Sequence, residues 1–442
     1  MQNNYLIKPM SMALAFLGRI SSSEKINQLK LSEPALKLVY QILRQSVRAG
    51  KMAQSRFLAS TPLKPEEKLT KHKPLKKDTF DLTLTREQQM VRDELLKFAK
   101  QNMRPIARDA DNGEIPSDFL NQVNELGLAV SGVPEAIKGI GTERSPISMM
   151  LMAEDLSYGD MSLALAALSP SGFVNALTEF GSSDQQARYL PSFTEDNFMP
   201  ASIALMEQSV RFNPDRLKTT AVATNAGYRL NGMKCMVPLG MQSKLFVVFA
   251  NLNHHGPRGF IVERHYPGIK IEIEKNMGLA AAGMCTLILT DVELPKTALL
   301  GEQEVHYSHQ RMIDLARIGI CALAVGTCQA VLDYVIKYAN ERVAFGEPIS
   351  NRQAVAFMIA DMAIELESMR MLTYRAASRA EQGLSFHRHA YLAQIMCAQQ
   401  AMKIGTNGLQ ILGGHGFVCE YPLELWYRQL RAVGILEGSL VI

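Results

Sequence analysis

Glu437 is the only carboxylate after Glu424, and it closes an apolar run, Ala432-Val433-Gly434-Ile435-Leu436. Partial burial makes a carboxylate a more usable base, so Glu437 is a candidate for proton abstraction. A surface glutamate at a helix start fits the same pattern. Upstream, Gln410-Ile411-Leu412-Gly413-Gly414-His415-Gly416-Phe417 sets three glycines after a long helical pattern. Glycines there permit backbone shapes closed to other residues and the close approach of another group. A plain helix-helix turn needs no more. A third stretch, Arg342-Val343-Ala344-Phe345-Gly346, leads through Pro348-Ile349 to Gln353. A guanidinium beside the unpaired amides of the helix start after Pro348 would cradle an anion. Read alone, it is equally a capped interhelical loop.

These residues need elements to hold them. From Thr85 to about Gly181 the apolar spacing is helical: Val91, Leu95, Leu96 and Phe98, then Phe119, Val123 and Leu126, then Ile147, Met150, Leu151 and Ala153. The Thr85 to Gln88 spacing is a capping box that opens the first of these helices. Between about 198 and 297 the period shortens. Leu245-Phe246-Val247-Val248-Phe249, Phe260-Ile261-Val262-Glu263, Ile269-Lys270-Ile271-Glu272-Ile273 and Thr286-Leu287-Ile288-Leu289 are short runs between turn residues, as in antiparallel strands of a small barrel or sandwich. From about Val305 to Leu430 the pattern is helical again, and the segment from Arg352 to Gln382 is long enough for a bundle helix.

The Gln-x-x-Gly-Gly-x-Gly-Phe stretch, the Glu420-Tyr421-Pro422 continuation, Arg428 and the terminal x-Glu-Gly-Ser resemble the C-terminal domain of the acyl-CoA dehydrogenase family. Further similar words are Gly181-Ser182 with Tyr189-Leu190-Pro191, Gly227-Tyr228-Arg229-Leu230-Asn231-Gly232, Pro267-Gly268-Ile269 and Asp291-Val292 with Leu294-Pro295. The resemblance implies an α+β chain in four parts. A basic extension and linker occupies 1–80, a helical N-terminal domain 81–195, a middle antiparallel β domain 196–300, and a C-terminal four-helix bundle 301–442. It implies an FAD-dependent enzyme that introduces a double bond between the α and β carbons of a fatty acyl-CoA, as in β-oxidation. Glu437 stands where the family carries its base. Arg342, Phe345 and Gln353 stand where the family reaches the FAD of a neighbouring subunit, and Gln410, Gly413 and Gly414 complete that half-site. Some members carry the base on the first bundle helix instead, just before an arginine. Here Ala316 precedes Arg317, which leaves Glu437 as the sole candidate, and the resemblance implies a substrate-binding role for Arg317. An electron-transfer flavoprotein-like acceptor and a homodimer or homotetramer are the implied partners.

The chain also departs from the family. Where Thr-Glu-Pro-x-Ala-Gly-Ser-Asp is expected it reads Met206-Glu207-Gln208-Ser209-Val210-Arg211-Phe212-Asn213, and the aromatic-Ile-Thr/Ser segment reads Met236-Val237-Pro238. Proline has neither an amide proton nor a hydroxyl to give a flavin. A degenerate member that binds acyl-CoA or serves as a partner subunit, with little or no oxidation, fits these changes. The chain stops at Ile442, where the family continues into a further helix, and this reads as clipping or truncation.

At 442 residues, with 47% hydrophobic and 20% charged, the chain suits a multidomain globular protein. No apolar run approaches the ~20 residues of a membrane span. Residues 10–18 lack a cleavage site after them, so a cytoplasmic location is expected. Six scattered cysteines imply neither metal nor disulfides. Residues 1–80 carry a net +10 and the remainder about −6. That excess comes without aromatic interleaving, which argues against nucleic acid and the DNA-associated branch of the family. Residues 34–58 read as a helix with Lys37, Arg44, Arg48 and Lys51 beside Leu36, Leu43 and Val47, suited to peripheral contact with the inner membrane face or to packing on its own protein. Deleting residues 1–78 is expected to abolish sedimentation with anionic vesicles while FAD binding survives. Equal sedimentation of the shortened chain would reject the attachment.

Overall fold

The structure, a computed structural model, describes residues 83–442 except 114, 117, 142–143, 254 and 303–306. The basic helix and the linker expected before residue 80 lie outside the described residues. The chain then begins with α1 (Arg86–Phe98), opened by the expected capping box: Thr85 accepts from the Gln88 amide, and the Gln88 side chain accepts from the Thr85 amide. α2 (Ala107–Asp111), α3 (Phe119–Glu125), α4 (Pro146–Ser157) and α5 (Met161–Phe180) follow. α6 (Ser183–Tyr189) carries a second capping box, from Ser182 to Gln185.

α5 and the later α7 (His309–Glu341) have the length and composition of membrane spans, yet 94% of each apolar window is buried inside the protein. They are core helices. An all-round apolar helix needs partners on every side. α5 finds them in α4 and the sheet, and α7 finds them in α4 and in the long helices α8 (Gln353–Glu381) and α9 (His387–Leu412). At 33 residues α7 runs about 50 Å, the spine of the C-terminal bundle. A short helix, α10 (Leu423–Leu430), buries Trp426 and leads to the tail that bears Glu437.

Between the helical parts lies one seven-stranded sheet: β1 (Ala201–Ala204), β2 (Thr220–Ala223), β3 (Gly227–Val237), β4 (Leu245–Leu252), β5 (Gly256–Glu263), β6 (Ile269–Ile273) and β7 (Cys285–Pro295). The path runs β1-β4-β2-β3-β7-β6, with β5 also on β4. β4 to β7 fall where the short runs predict them, no run marks β1, and the sheet is mixed. β1 and β2 both lie parallel to β4. Parallel pairs join strands far apart in sequence, and local alternation carries no sign of them.

One ion pair fixes the sheet to the site. Lys234 on β3 is fully buried, with Nζ 2.8 Å from Glu207 Oε1 and 3.0 Å from the Leu205 carbonyl. Glu207 also accepts from the amides of Thr219 at 2.9 Å and Lys218 at 2.7 Å. Burial pulls the Lys234 ammonium down to about 8, against the attraction of Glu207. Burial pushes the Glu207 carboxyl up, but Lys234 and the hydrogen bonds outweigh it and leave it below its ordinary value. The pair is therefore charged at neutral pH. Lys234→Met strands a buried carboxylate, and a loss of about 3–5 kcal/mol in chemical denaturation is expected.

Candidate active site

Three segments bring Glu437 its neighbours. α7 supplies Arg317, whose Nη2 lies 2.9 Å from Glu437 Oε1 and whose Nε lies 3.3 and 3.4 Å from the two carboxylate oxygens. α9 supplies Gln394, whose Nε2 donates to Oε1 at 3.0 Å. The segment after β1 supplies Met206, whose Sδ accepts the Glu437 amide at 3.3 Å. The carboxylate and guanidinium side chains are only 14% and 10% exposed.

Backbone shape makes this approach possible. Gly438 has φ +72°, and a Cβ there would stand 2.2 Å from Leu205 Cδ2. A Cβ on Gly319, half a turn along α7 from Arg317, would stand 2.5 Å from the Leu440 carbonyl. Both positions let the tail lie flush on its supports, so Glu437 emerges at the height of Arg317. Beyond it, Leu440, Val441 and Ile442 are buried, and Asn175 of α5 donates to the Val441 carbonyl at 3.0 Å.

Arg317 is shared. Its Nη1 lies 3.6 Å from Asp314, which accepts from His387 Nδ1 at 3.0 Å and from Gln310 at 3.0 Å. Burial pushes the Asp314 carboxyl up, and His387, Gln310 and Arg317 oppose it. Tyr391 places its ring 5.6 Å from the Arg317 guanidinium carbon. The resemblance pointed to Glu437 and Arg317, and to Met206 only as a departure, but not to Gln394, Asp314 or His387. The i, i+3 spacing of Asp314 and Arg317 on one helix was the available signal; Gln394 had none.

The other predicted residues stand apart from this cluster. Arg342, Phe345, Gln353, Gln410, Gly413 and Gly414 are all exposed. Phe345 is 96% exposed on a turn between β8 (Val343–Ala344) and β9 (Glu347–Pro348), with φ +57° and the Arg352 guanidinium carbon 5.8 Å from its ring. Nothing lies within 4 Å of where a Cβ would stand on Gly413 or Gly414. Tyr338, near the end of α7, bonds His415 Nδ1 at 2.8 Å, and His415 stacks on Tyr421 at 4.7 Å. The glycine stretch and the α7 end thus share one surface. Among the described residues no hydrogen bond or ion pair joins this surface to Glu437.

The departures from the family pattern cluster on the sheet side. Met206 is buried, while Phe212 and Met236 are partly buried against the main core. The Met236 amide is taken by Glu274 Oε2 at 2.8 Å and the Leu239 amide by the Ala282 carbonyl at 2.8 Å. Pro238 has no amide proton, and its carbonyl accepts from Ser202. All six cysteines are free, and Cys419 alone among them is exposed.

The three-part order of helices, sheet and bundle matches three family models, the acyl-CoA dehydrogenase N-terminal domain over residues 85–197, the middle domain over 202–292 and the C-terminal domain over 306–442. The chain belongs to the acyl-CoA dehydrogenase family. It is 33% identical over 359 residues to the mitochondrial short-chain specific acyl-CoA dehydrogenase of Rattus norvegicus, covering 79% of this chain and 86% of that one. Among solved structures, butyryl-CoA dehydrogenase from Megasphaera elsdenii superimposes with a TM-score of 0.75 at 28% identity, covering 81% of this chain and 96% of that one. An acyl-CoA dehydrogenase complexed with FAD from Bacillus anthracis gives a TM-score of 0.73 at 27% identity, covering 80% and 65%. Family membership thus joins the two separated groups of residues into parts of one fold.

Proposed function

We propose that this protein is an FAD-dependent dehydrogenase of short acyl-CoA thioesters, with Glu437 as the base. The observation that carries it is the seating of Glu437, whose Oε1 is held by Arg317 and Gln394 in a chain similar to short-chain and butyryl-CoA dehydrogenases. FAD suits the nucleotide end: exposed Arg342, Phe345 and Gln353 offer a cation, an aromatic face and an amide, and Gly413-Gly414 leave room for close approach. At the ring end the fit is apolar, through Met206 and Met236 rather than hydroxyls. When bound, FAD supplies the two-electron acceptor for the hydride from the β-carbon.

The chain's own residues perform the proton step. Glu437 removes the α-proton, and the bonds from Arg317 and Gln394 fix the direction from which it does so. Protonation cancels the charge of Glu437. Asp314, 3.6 Å from Arg317, then keeps the guanidinium partnered. Glu437→Gln preserves shape but cannot accept the proton. It is expected to slow flavin reduction by butyryl-CoA ~10²- to 10⁴-fold with FAD content unchanged, read by anaerobic absorbance. Reduction at the normal rate would place the base elsewhere.

A second reading, a subunit that binds nucleotide and acyl-CoA without oxidation, is favoured by Pro238 and the occupied Met236 amide. A wild type that never bleaches with any acyl-CoA decides for it.

Phe345 at 96% and Phe417 at 90% exposure, and Phe357 and Ile364 on α8, are exposed apolar side chains that self-association would cover. Light scattering is expected to give a multiple of 49.0 kDa. Phe345→Asp should lower that mass and release FAD together. A wild-type monomer that holds FAD would remove both parts of this expectation.

A further inference from the structure

We infer that the Met206 thioether is a displaceable plug: it occupies the Glu437 amide that the substrate's thioester carbonyl needs, and it must swing away before the α-proton can be removed. The inference rests on the dehydrogenase reading above. Abstraction puts the substrate α-carbon against the Glu437 carboxylate, and the carbonyl carbon is bonded to that α-carbon. The carbonyl oxygen, where negative charge develops, therefore falls within a few ångströms of residue 437 and requires a donor there. Arg317 Nη2 and Gln394 Nε2 each direct a hydrogen bond at the carboxylate. The neighbouring backbone amide of Glu437 is aimed at Met206 Sδ, 3.3 Å away.

The backbone around the plug is pinned. Lys234 Nζ donates to the Leu205 carbonyl at 3.0 Å, and the Cys235 amide donates to the Met206 carbonyl at 2.9 Å. Gly438 lies flush on Leu205, so the tail and the segment after β1 have no slack between them. What remains free to move is the unbranched Met206 side chain, with three rotatable bonds. A thioether is a weak acceptor, and an oxygen gathering enolate charge is a strong one. The exchange therefore favours a correctly placed thioester and offers nothing to a ligand without a carbonyl at that point. Met206 stands where the family places threonine, so this plug belongs to the chain's departure from the family pattern.

The test compares binding on a Glu437→Gln background of the holoprotein, which cannot turn substrate over. Met206→Ala opens the site; Met206→Leu removes the acceptor while nearly filling the same volume and guards against a folding defect in the first variant. Calorimetry is expected to show butyryl-CoA binding about five- to tenfold tighter in both variants, as for one weak hydrogen bond no longer competing. Free CoA, which lacks the carbonyl, should bind unchanged. Equal affinity for butyryl-CoA with and without Met206, or the same shift for free CoA, overturns the plug. Flavin bleaching in wild type separates the two conclusions: bleaching with unchanged affinities defeats the plug alone, whereas no bleaching beside a thioester-specific shift defeats the dehydrogenase reading and leaves the plug standing.

Discussion

The burial of an irregular tail between two apolar helices is the constraint on which the site depends. α5 and α7 are enclosed nearly all round, and residues 436–442 pass against them without regular structure. Backbone polar groups at that depth must be satisfied, since each unpaired one costs roughly 1–3 kcal/mol. Asn175 and Arg144 meet the carbonyls of Val441 and Ile442. Gly319 and Gly438 remove the side chains that would hold the tail away. Anchored on both sides of Glu437, the tail can present one carboxylate at a fixed height above α7. The ion pair with Arg317 follows from that placement.

A second set of charges holds the helices that carry the tail. Asp155 and Glu154 on α4 meet Arg92 of α1, and Glu154 also meets Arg370 of α8. Burial pushes the Asp155 carboxyl up to about 6, with Arg92 opposing it. Asp160, which caps α5 and bonds Gln429 of α10, is likewise pushed up to about 6 by burial. For a carboxyl raised in the folded state, the resulting stability is fully present below its ordinary range near 3.8 and is lost as pH rises through about 6. At neutral pH these two groups weigh against the fold. Apolar packing of α4, α5 and α7 carries the stability, and the carboxylates align the helices.

Local patterns made much of this architecture legible. The capping box at Thr85 acts within four residues and appears as its spacing predicts, and a second at Ser182 follows the same local rule. The change of period marked the sheet, and the apolar approach marked the tail with Glu437. What stayed hidden was long-range. Gln394 reaches Glu437 across 43 positions and Met206 across 231, so no periodicity within either segment encodes the contact. The parallel pairing of β1 and β2 with β4 was hidden for the same reason. The length and hydropathy of α5 and α7 do not distinguish a membrane span from a helix enclosed by protein. Only the burial of their surfaces decides it.

The two faces of the site depart from the family pattern by different amounts. The bundle side presents Glu437, Arg317, Arg342, Phe345, Gln353 and the glycine stretch in the residue types that the resemblance implies. The sheet side presents Met206, Met236 and Pro238 where hydroxyls and an aromatic ring are implied. A hydroxyl lost from the sheet side removes a directional contact, whereas a methionine put in its place adds a polarizable, adaptable surface. Ring binding would then rely on shape and burial instead of fixed hydrogen bonds, which weakens control over the electronics of a bound flavin more than it weakens binding itself. In the proposed reaction the base and its partners Arg317 and Gln394 come from the bundle side. On the proposed dehydrogenase reading, the residue types for proton removal are therefore kept on the bundle side, while those that would set the potential of a bound flavin are changed on the sheet side.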